Sequence, residues 1–167
     1  WIGTVKSLVM IDLYKLNKPT VPPAAFIENV IVNGNNIDFV ELHLNKEKNV
    51  NQDIRFSGLQ PYIYTPDNLS LPYNMNHLTF NCGATDWFYN HKIEFQYKLE
   101  GYDQDWNEET TNSMADYKNL SPGHYNFKLR AKGAFGKWSD IVEYKIIIRN
   151  PYWLSWWAFI IYLLIII

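Results

Sequence analysis

Two alternating stretches, separated by a Pro-Gly turn, constrain the fold of this chain more than any other feature. In the first, Ile93-Glu-Phe-Gln-Tyr-Lys-Leu99, apolar residues occupy every second position and polar residues fill the positions between them. The second runs from Tyr125 to Ala131 and repeats the pattern, with Phe127 and Leu129 on the same face as its two ends. A period of two over seven residues predicts a β-strand with one face buried and the other in water.

The turn that opens the second strand reads Leu120-Ser-Pro-Gly-His-Tyr125. A Leu-x-Pro-Gly-x-Tyr turn at the start of an alternating strand is the sequence form of a tyrosine corner. In such a corner the phenol bonds to the backbone a few residues upstream and fixes the crossover between two sheets. The turn therefore predicts a β-sandwich.

Other segments supply the remaining strands. β-Branched or alternating runs cover Phe26 to Gly34, His77 to Ala84 and Trp138 to Ile148, the last after a hairpin turn at Gly133 and Gly136. Residues 42–73 are rich in Asn and Pro and predict irregular loops with one or two short strands. The total is about seven strands, as in an immunoglobulin-like or fibronectin-III-like sandwich. We predict that this all-β domain spans residues 26–149.

Composition limits the function classes. A length of 167 residues allows one domain with appendages. The net charge of −2, with no long run of either sign, argues against nucleic-acid binding through a basic face. The single cysteine, Cys82, cannot form an internal disulfide, and it lies in phase with Leu78 and Phe80. A small buried side chain is therefore expected at this position, not a reactive thiol.

The N-terminal part predicts a separate unit. Trp1-Ile-Gly-Thr4, followed by Leu8 and Asp12, resembles a β-propeller blade repeat, although Ser7 stands where that repeat has glycine. We predict that residues 1–17 are the end of a last propeller blade, the alternative being a chance match. Residues 18–25 contain Lys18-Pro-Thr-Val-Pro-Pro23 and predict a stiff, extended connector, because proline forbids helix.

The C-terminal part predicts the start of a membrane-spanning helix over residues 150–167. The sixteen residues from Tyr152 to Ile167 carry no charge. As a helix they would reach ~24 Å, short of the ~30 Å hydrocarbon layer, so we expect the helix to be incomplete in this sequence. Trp153, Trp156 and Trp157 are typical of an aromatic belt at one membrane surface. A core helix or strand of a soluble protein is the alternative, disfavoured because a terminal Ile-Ile-Ile would promote aggregation.

The sequence predicts no catalytic residue, no cofactor and no metal site. The four histidines (His43, His77, His91 and His124) lack helical metal-pair spacing. The acidic residues Asp103, Asp105, Glu108 and Glu109 lack a calcium-loop pattern and are expected in a solvated loop. No phosphate-binding loop or nucleophile elbow is present. Trp87-Phe-Tyr89 predicts an aromatic loop that stacks on a sugar, forms a protein contact or covers one end of the sandwich.

Two segments, Phe95 to Trp106 and Asp116 to Phe127, resemble the triple-tyrosine (Y_Y_Y) domain. This domain closes the periplasmic sensor of propeller-type two-component regulators, many of them hybrid histidine kinases of Bacteroides-like bacteria. The order of propeller strand, Pro-Pro connector, sandwich and Trp-rich membrane entry also resembles that family. The matching positions are Tyr97, Tyr117 and Tyr125 for the three tyrosines, with Gly101, Trp106, Leu120, Pro122 and Gly123 also in pattern.

The resemblance implies a function. The domain would be a non-catalytic, membrane-proximal part of a sensor in the bacterial inner membrane, facing the periplasm and paired with a second copy through the sandwich. Oligosaccharide ligands would bind to propellers upstream, and the parent protein would be a histidine kinase. Two alternatives stay open: a carbohydrate-binding or fibronectin-like module of a cell-surface glycan-utilisation protein, and the same sensor with a DNA-binding output.

Overall fold

A computed structural model describes residues 2–3, 8–9, 21–45, 53–86, 93–154, 158 and 160. Most of this part of the chain forms β-strands. In chain order the elements are β1 (Ile2–Gly3), β2 (Leu8–Val9), β3 (Ala24–Val32), β4 (Asn35–Asn36), α1 (Phe39–Leu44), β5 (Gly58–Leu59), β6 (Pro66–Asp67), β7 (Leu69–Leu71), β8 (Leu78–Thr85), β9 (Glu94–Glu100), β10 (Met114–Tyr117), β11 (Gly123–Lys132) and β12 (Val142–Ile148).

Two four-stranded sheets form the sandwich. The first sheet has the order β10-β8-β3-β4, and the second has the order β7-β12-β11-β9. Neighbouring strands are antiparallel, except that β7 pairs with β12 in parallel. The arrangement of β3, β8 and β10 against β9, β11 and β12 is that of an immunoglobulin-like sandwich. The predicted all-β sandwich is therefore confirmed.

The predicted alternation produces the shared core. Along β11 the buried positions are Tyr125, Phe127, Leu129 and Ala131, and the residues between them are more accessible. Phe127 stacks on Phe80 of the opposite sheet with ring centroids 4.1 Å apart. This contact joins the two sheets at their centre, where each apolar face is removed from water.

The tyrosine corner is present at the crossover from β10 to β11. The Tyr125 hydroxyl donates a hydrogen bond to the Ser121 carbonyl over 2.7 Å, and Tyr125 is only 7% exposed. Leu120 is buried, and its N–H donates to the Asn76 carbonyl, which ties the crossover to the loop before β8. Pro122 is exposed, and Gly123 begins β11. The chain therefore changes sheets in five residues with its direction fixed by a phenol.

The structure corrects the expectation for residues 42–73. The region contains the end of the six-residue helix α1 and three short strands, β5 to β7, where loops with one or two strands were predicted. Asp38 caps α1 by accepting the Glu41 N–H over 2.8 Å, and the helix buries Phe39 and Leu42. A helix this short is stabilised by burial of its apolar side chains, which has no long periodic signal in the sequence.

The last strand is shorter than predicted, and β10 was not predicted as a strand. β12 begins at Val142, whereas Trp138 forms only an isolated bridge to Lys132. Ser139 interrupts the ladder, because its hydroxyl accepts the Ala131 N–H and donates to the Asp140 carbonyl.

The terminal predictions fall largely outside the described residues. Two short strands, β1 and β2, pair antiparallel, but the other residues of 1–17 lie outside the described part, so the propeller stays a prediction. Tyr152–Leu154 form one 3₁₀ turn after β12. Trp156 and Trp157 are not described, and within the described residues no helix is long and apolar enough to cross a membrane.

We expect the substitution Tyr125→Phe to lower the free energy of unfolding by about 1 kcal/mol, because it removes the hydrogen bond to Ser121 and keeps the ring. Urea unfolding followed by tryptophan fluorescence measures this change. Tyr102→Phe is the matched control, because that side chain is 55% exposed. Equal stability of Tyr125→Phe and the parent chain would show that the corner bond contributes nothing.

Candidate functional site

The three tyrosines of the motif lie on three different strands. Tyr97 is on β9, Tyr117 ends β10, and Tyr125 is near the start of β11. Tyr97 and Tyr117 flank Phe127, each with a ring centroid 6.2 Å from the phenylalanine centroid. The structure therefore brings two of the tyrosines together around one core ring and places the third at the corner.

A hydrogen bond joins Tyr117 to the turn after β9. The Tyr117 hydroxyl donates to Asp103 Oδ2 over 2.8 Å, and the same oxygen accepts the Leu99 N–H over 2.8 Å. Burial, together with the Asp103 carboxylate, raises the pKa of Tyr117 far above its ordinary value. The phenol therefore stays neutral and acts as a fixed donor across the sandwich. Asp103 has a structural role here, although the sequence grouped it with solvated acidic residues.

Gly101 is needed at the turn between Tyr97's strand and Asp103. Its φ is +95°, a conformation that side chains other than glycine rarely adopt. A Cβ atom at this position would lie 2.9 Å from the His124 carbonyl oxygen. The match of Gly101 to the motif thus has a steric reason.

The loop after this turn covers the outer edge of β9. Phe95 exchanges both backbone hydrogen bonds with Thr110, and Tyr97 accepts the Asn107 N–H. Asn107 Oδ1 in turn accepts the Tyr97 N–H over 2.6 Å. The loop therefore satisfies edge groups that would otherwise be open to pairing with another strand.

A cation between two indoles lies on the outer face of the second sheet. The Arg130 guanidinium carbon is 4.6 Å from the Trp106 ring centroid and 4.4 Å from that of Trp138. Gln96 Oε1 accepts hydrogen bonds from Arg130 Nε and Nη2 over 3.1 and 2.7 Å. The sequence singled out Trp106 but missed Arg130 and Trp138. Their contact depends on strand register, so local spacing carried no signal for it.

Neighbouring outward positions of the second sheet carry paired charges. Lys128 Nζ lies 2.7 Å from Glu100 and 3.5 Å from Glu143. Lys132 binds Glu94 over 2.8 Å and also contacts Glu109. Lys128 and Lys132 therefore have their charges neutralised across strands, an arrangement that stabilises the sheet.

The residues with potential chemistry have structural surroundings. Cys82 is 2% exposed, and burial raises the pKa of its thiol to about 12. His43 packs near Phe56, and His124 is exposed. His91 and the aromatic residues 87–89 lie outside the described residues. Within the described part of the chain, no group of three His, Cys, Asp or Glu residues could hold a metal ion.

Asp116 is the centre of a polar cluster on the first sheet. Its Oδ1 atom accepts the Thr79 hydroxyl over 2.6 Å and lies 2.6 Å from His77 Nε2. Lys118 Nζ is 3.2 Å from Oδ2. The hydrogen bond from Thr79, followed by that with His77, lowers the pKa of Asp116 to about 2. The cluster links the start of β8 to the end of β10. It lies near the end of the sandwich at which β12 finishes, which we call the lower end.

Arg149, the residue directly after β12, is held by contacts with Leu71 and Asp53. We call these three residues the clamp. The Arg149 N–H donates to the Leu71 carbonyl over 2.9 Å, and the guanidinium binds the carboxylate of Asp53 over 2.8 Å. A second guanidinium nitrogen donates to the Asp53 carbonyl. Burial raises the pKa of Asp53, but the hydrogen bond and charge of Arg149, with those of Arg55, outweigh it and lower that pKa.

Aromatic side chains follow the clamp. The Trp153 ring contacts the Tyr152 ring and the Tyr73 ring, with centroids 4.8 Å apart in both pairs. Trp153 is therefore the one predicted membrane-interface residue that the structure describes, and it packs against the loop between β7 and β8.

Comparisons with known proteins agree with this architecture. Residues 88–149 match the Y_Y_Y domain family. No curated protein matches the chain. The expected resemblance to the Y_Y_Y domain is confirmed for residues 88–149, which include all three motif tyrosines.

Solved structures with a similar fold come from B. thetaiotaomicron. The extracellular domain of the one-component system BT4673 is 23% identical, with a TM-score of 0.55, over 81% of this chain and 16% of that chain. The extracellular domain of the hybrid two-component system BT3049 is 18% identical, with a TM-score of 0.55, over 78% of this chain and 16% of that one. A second BT4673 structure, described as a hybrid two-component system, is 24% identical with a TM-score of 0.52. The chain thus corresponds to about one sixth of those extracellular domains.

We expect the stability contributed by Asp116 to depend on pH. Its pKa is about 2 in the folded chain and ordinarily 3.8. A carboxylate with a lowered pKa contributes stability above its unfolded pKa, and that contribution is lost as pH falls towards the folded value. The stability difference between the parent chain and Asp116→Asn should therefore be constant above about pH 5 and shrink towards pH 2.

Urea unfolding at a series of pH values measures this difference. Asp140→Asn is the matched control, because Asp140 is exposed at the opposite end of the sandwich. A difference for Asp116→Asn that stays constant down to pH 2 would contradict the assigned hydrogen bonds.

Proposed function

Because residues 88–149 match the Y_Y_Y domain family, we propose that this chain is the membrane-proximal, extracytoplasmic domain of a two-component sensor. In this proposal the sandwich has no catalytic activity, and it relays ligand binding on upstream propellers to a membrane helix. The similar solved structures are extracellular domains of one-component and hybrid two-component systems, which supports the same context for this chain.

The proposal of a relay is based mainly on the clamp at Arg149, because the clamp fixes the end of the last strand. β12 is held on one side by seven residue pairs with β11 and on the other by three pairs with β7. Arg149 continues the β7 ladder and binds Asp53, which lies 96 residues earlier in the chain. A strand fixed on both sides moves with the sandwich as one body, so a rotation of the domain would be transmitted to the residues after it.

The turn after the clamp extends this fixed geometry. Pro151 is buried, and its carbonyl accepts the Leu154 N–H over 3.1 Å. The 3₁₀ turn at Tyr152–Leu154 therefore starts directly from the clamp. Proline suits the position before a helical turn, because its φ is already fixed near the helical value. We propose that this turn leads into the membrane helix predicted for residues 150–167.

The proposal also covers the binding partners of the chain and the signalling output of the parent protein. Two copies of the chain associate through the sandwich, and oligosaccharides bind the propellers of the parent protein. The parent is a histidine kinase of the bacterial inner membrane, since two of the similar structures are described as hybrid two-component systems. A DNA-binding output is the second candidate, because one of the similar structures is described as a one-component system.

We expect Arg149→Ala to weaken signal transmission in the parent protein and to speed hydrogen exchange at residues 146–150 about fivefold. Loss of an ion pair worth up to about 1 kcal/mol gives a local opening change of that size. Exchange is followed by mass spectrometry, and transmission by a transcriptional reporter for the regulated genes.

Arg55→Ala is the matched control for this variant. The Arg55 guanidinium also binds Asp53, over 3.2 Å, but it makes no bond to the end of β12. Arg149→Ala should reduce reporter output, and Arg55→Ala should leave it near the parent value. An equal response in the two variants would mean that the clamp does not couple the sandwich to the exit of the chain.

We also expect the chain to self-associate. Sedimentation equilibrium of the detergent-solubilised chain should show a dimer in the micromolar range, the range expected for a modest interface that is assisted by membrane confinement in the parent. A monomer at every concentration tested would contradict dimerisation through the sandwich.

A further inference from the structure

We propose that the lower end of the sandwich lies in the headgroup layer of a phospholipid bilayer, with the loop between β7 and β8 as a second contact beside the chain exit. This inference rests on the membrane-proximal position given under Proposed function. It adds a lipid-binding surface on the sandwich itself, which we call the exit patch. The exit patch consists of Tyr73, Tyr152, Trp153 and Leu154.

Three consecutive residues of the exit patch expose apolar side chains. Tyr152 is 70% exposed, Leu154 is 53% exposed, and Trp153 is 37% exposed. The three residues are consecutive, and the sequence from Tyr152 to Ile167 contains no charged residue. A contiguous apolar surface next to an uncharged run is typical of a membrane contact.

Tyr73 extends the patch from the exit segment onto the sandwich. Its ring meets the Trp153 ring edge to face, with an interplanar angle of 75° and centroids 4.8 Å apart. Tyrosine and tryptophan combine an apolar body with a polar group, and both are enriched at the boundary between lipid and water. The patch thus has the side-chain chemistry of a bilayer interface on two separate segments of the chain.

The loop that carries Tyr73 is held in place by Asn33. The Asn33 side chain donates to the Asn74 carbonyl over 2.9 Å and accepts the His77 N–H over 3.2 Å. Its backbone N–H donates to the His77 carbonyl over 2.8 Å. Met75 packs against the hydrophobic core. The loop therefore presents Tyr73 in a fixed position next to the exit.

Distance determines where the loop must lie. Each interfacial layer of a bilayer is about 5 to 8 Å thick, as the total and hydrocarbon thicknesses imply. If Trp153 is at the start of a membrane helix, a ring 4.8 Å from it falls within or at the edge of that layer. The uncharged run that follows Leu154 in the sequence continues the apolar character of this surface, so a lipid bilayer is the occupant that we propose.

The test uses a fluorescent label on the loop in the full chain. Asn74→Cys places a thiol at an exposed loop position, where only the backbone carbonyl of Asn74 is engaged. Ala134→Cys is the matched control at an exposed position in the β11–β12 turn, on the opposite end of the sandwich. Cys82 is 2% exposed and is expected to stay unlabelled.

The labelled chains are incorporated into vesicles of phosphatidylethanolamine and phosphatidylglycerol that contain a nitroxide-headgroup lipid. We expect the label at position 74 to be quenched at least about threefold more than that at position 134, because β11 separates the two ends by roughly 30 Å. Tyr73→Ser should reduce quenching at position 74. Tyr62→Ser is the control for that substitution, because Tyr62 is 94% exposed and lies in the β5–β6 loop.

The outcomes separate this inference from the proposed function. Equal quenching at positions 74 and 134, in chains that float with the vesicles, would overturn the exit patch and leave membrane anchoring intact. A parent protein that does not float with such vesicles would overturn the membrane-proximal position together with this inference. Shielding at position 74 that rises with protein concentration and not with nitroxide content would identify a second copy as the occupant and would also overturn it.

Discussion

The structure depends on the crossover between its two sheets, where the chain leaves β10 and enters β11. Two phenols hold this crossover. Tyr125 bonds to the Ser121 carbonyl from inside β11, and Tyr117 bonds to Asp103 in the turn after β9. Buried polar groups are costly unless they are paired, so these bonds fix one direction for the chain. Once that direction is set, Phe127 lies on Phe80 and the two sheets share one core.

The packing of the sandwich also determines which of its surfaces are accessible to a partner. The loop after the Gly101 turn occupies the edge of β9, so this edge is closed to strand addition by a partner. Lys128 and Lys132 on the outer face of the second sheet are paired with glutamates, and Arg130 lies between Trp106 and Trp138. The lower end differs, because Arg149 fixes the last strand there and Trp153 with Tyr73 forms an apolar surface. We therefore propose that relay and membrane contact both belong to this end of the domain.

Local patterns predicted much of the fold. The alternation in β9 and β11 and the corner at Tyr125 required only neighbouring residues, because a strand with one buried face repeats every two positions. Cys82 was predicted as a buried side chain for the same reason. Helix α1 and the strand β7 were missed. The first is too short for a periodic signal, and the second forms through parallel pairing with β12, which lies far away in the chain.

The sequence by itself determined the strand pattern, the turn chemistry and the family resemblance, since each is encoded within a few consecutive residues. Only the tertiary structure decided the roles of Arg130, Asp103 and the Asp53–Arg149 pair. Their partners are set by strand register and by contacts as distant as 96 residues in the chain. A one-residue change of register in β11 would move Arg130 to the other face of its sheet, away from Trp106 and Trp138. Long-range pairing therefore carries information that no local pattern contains.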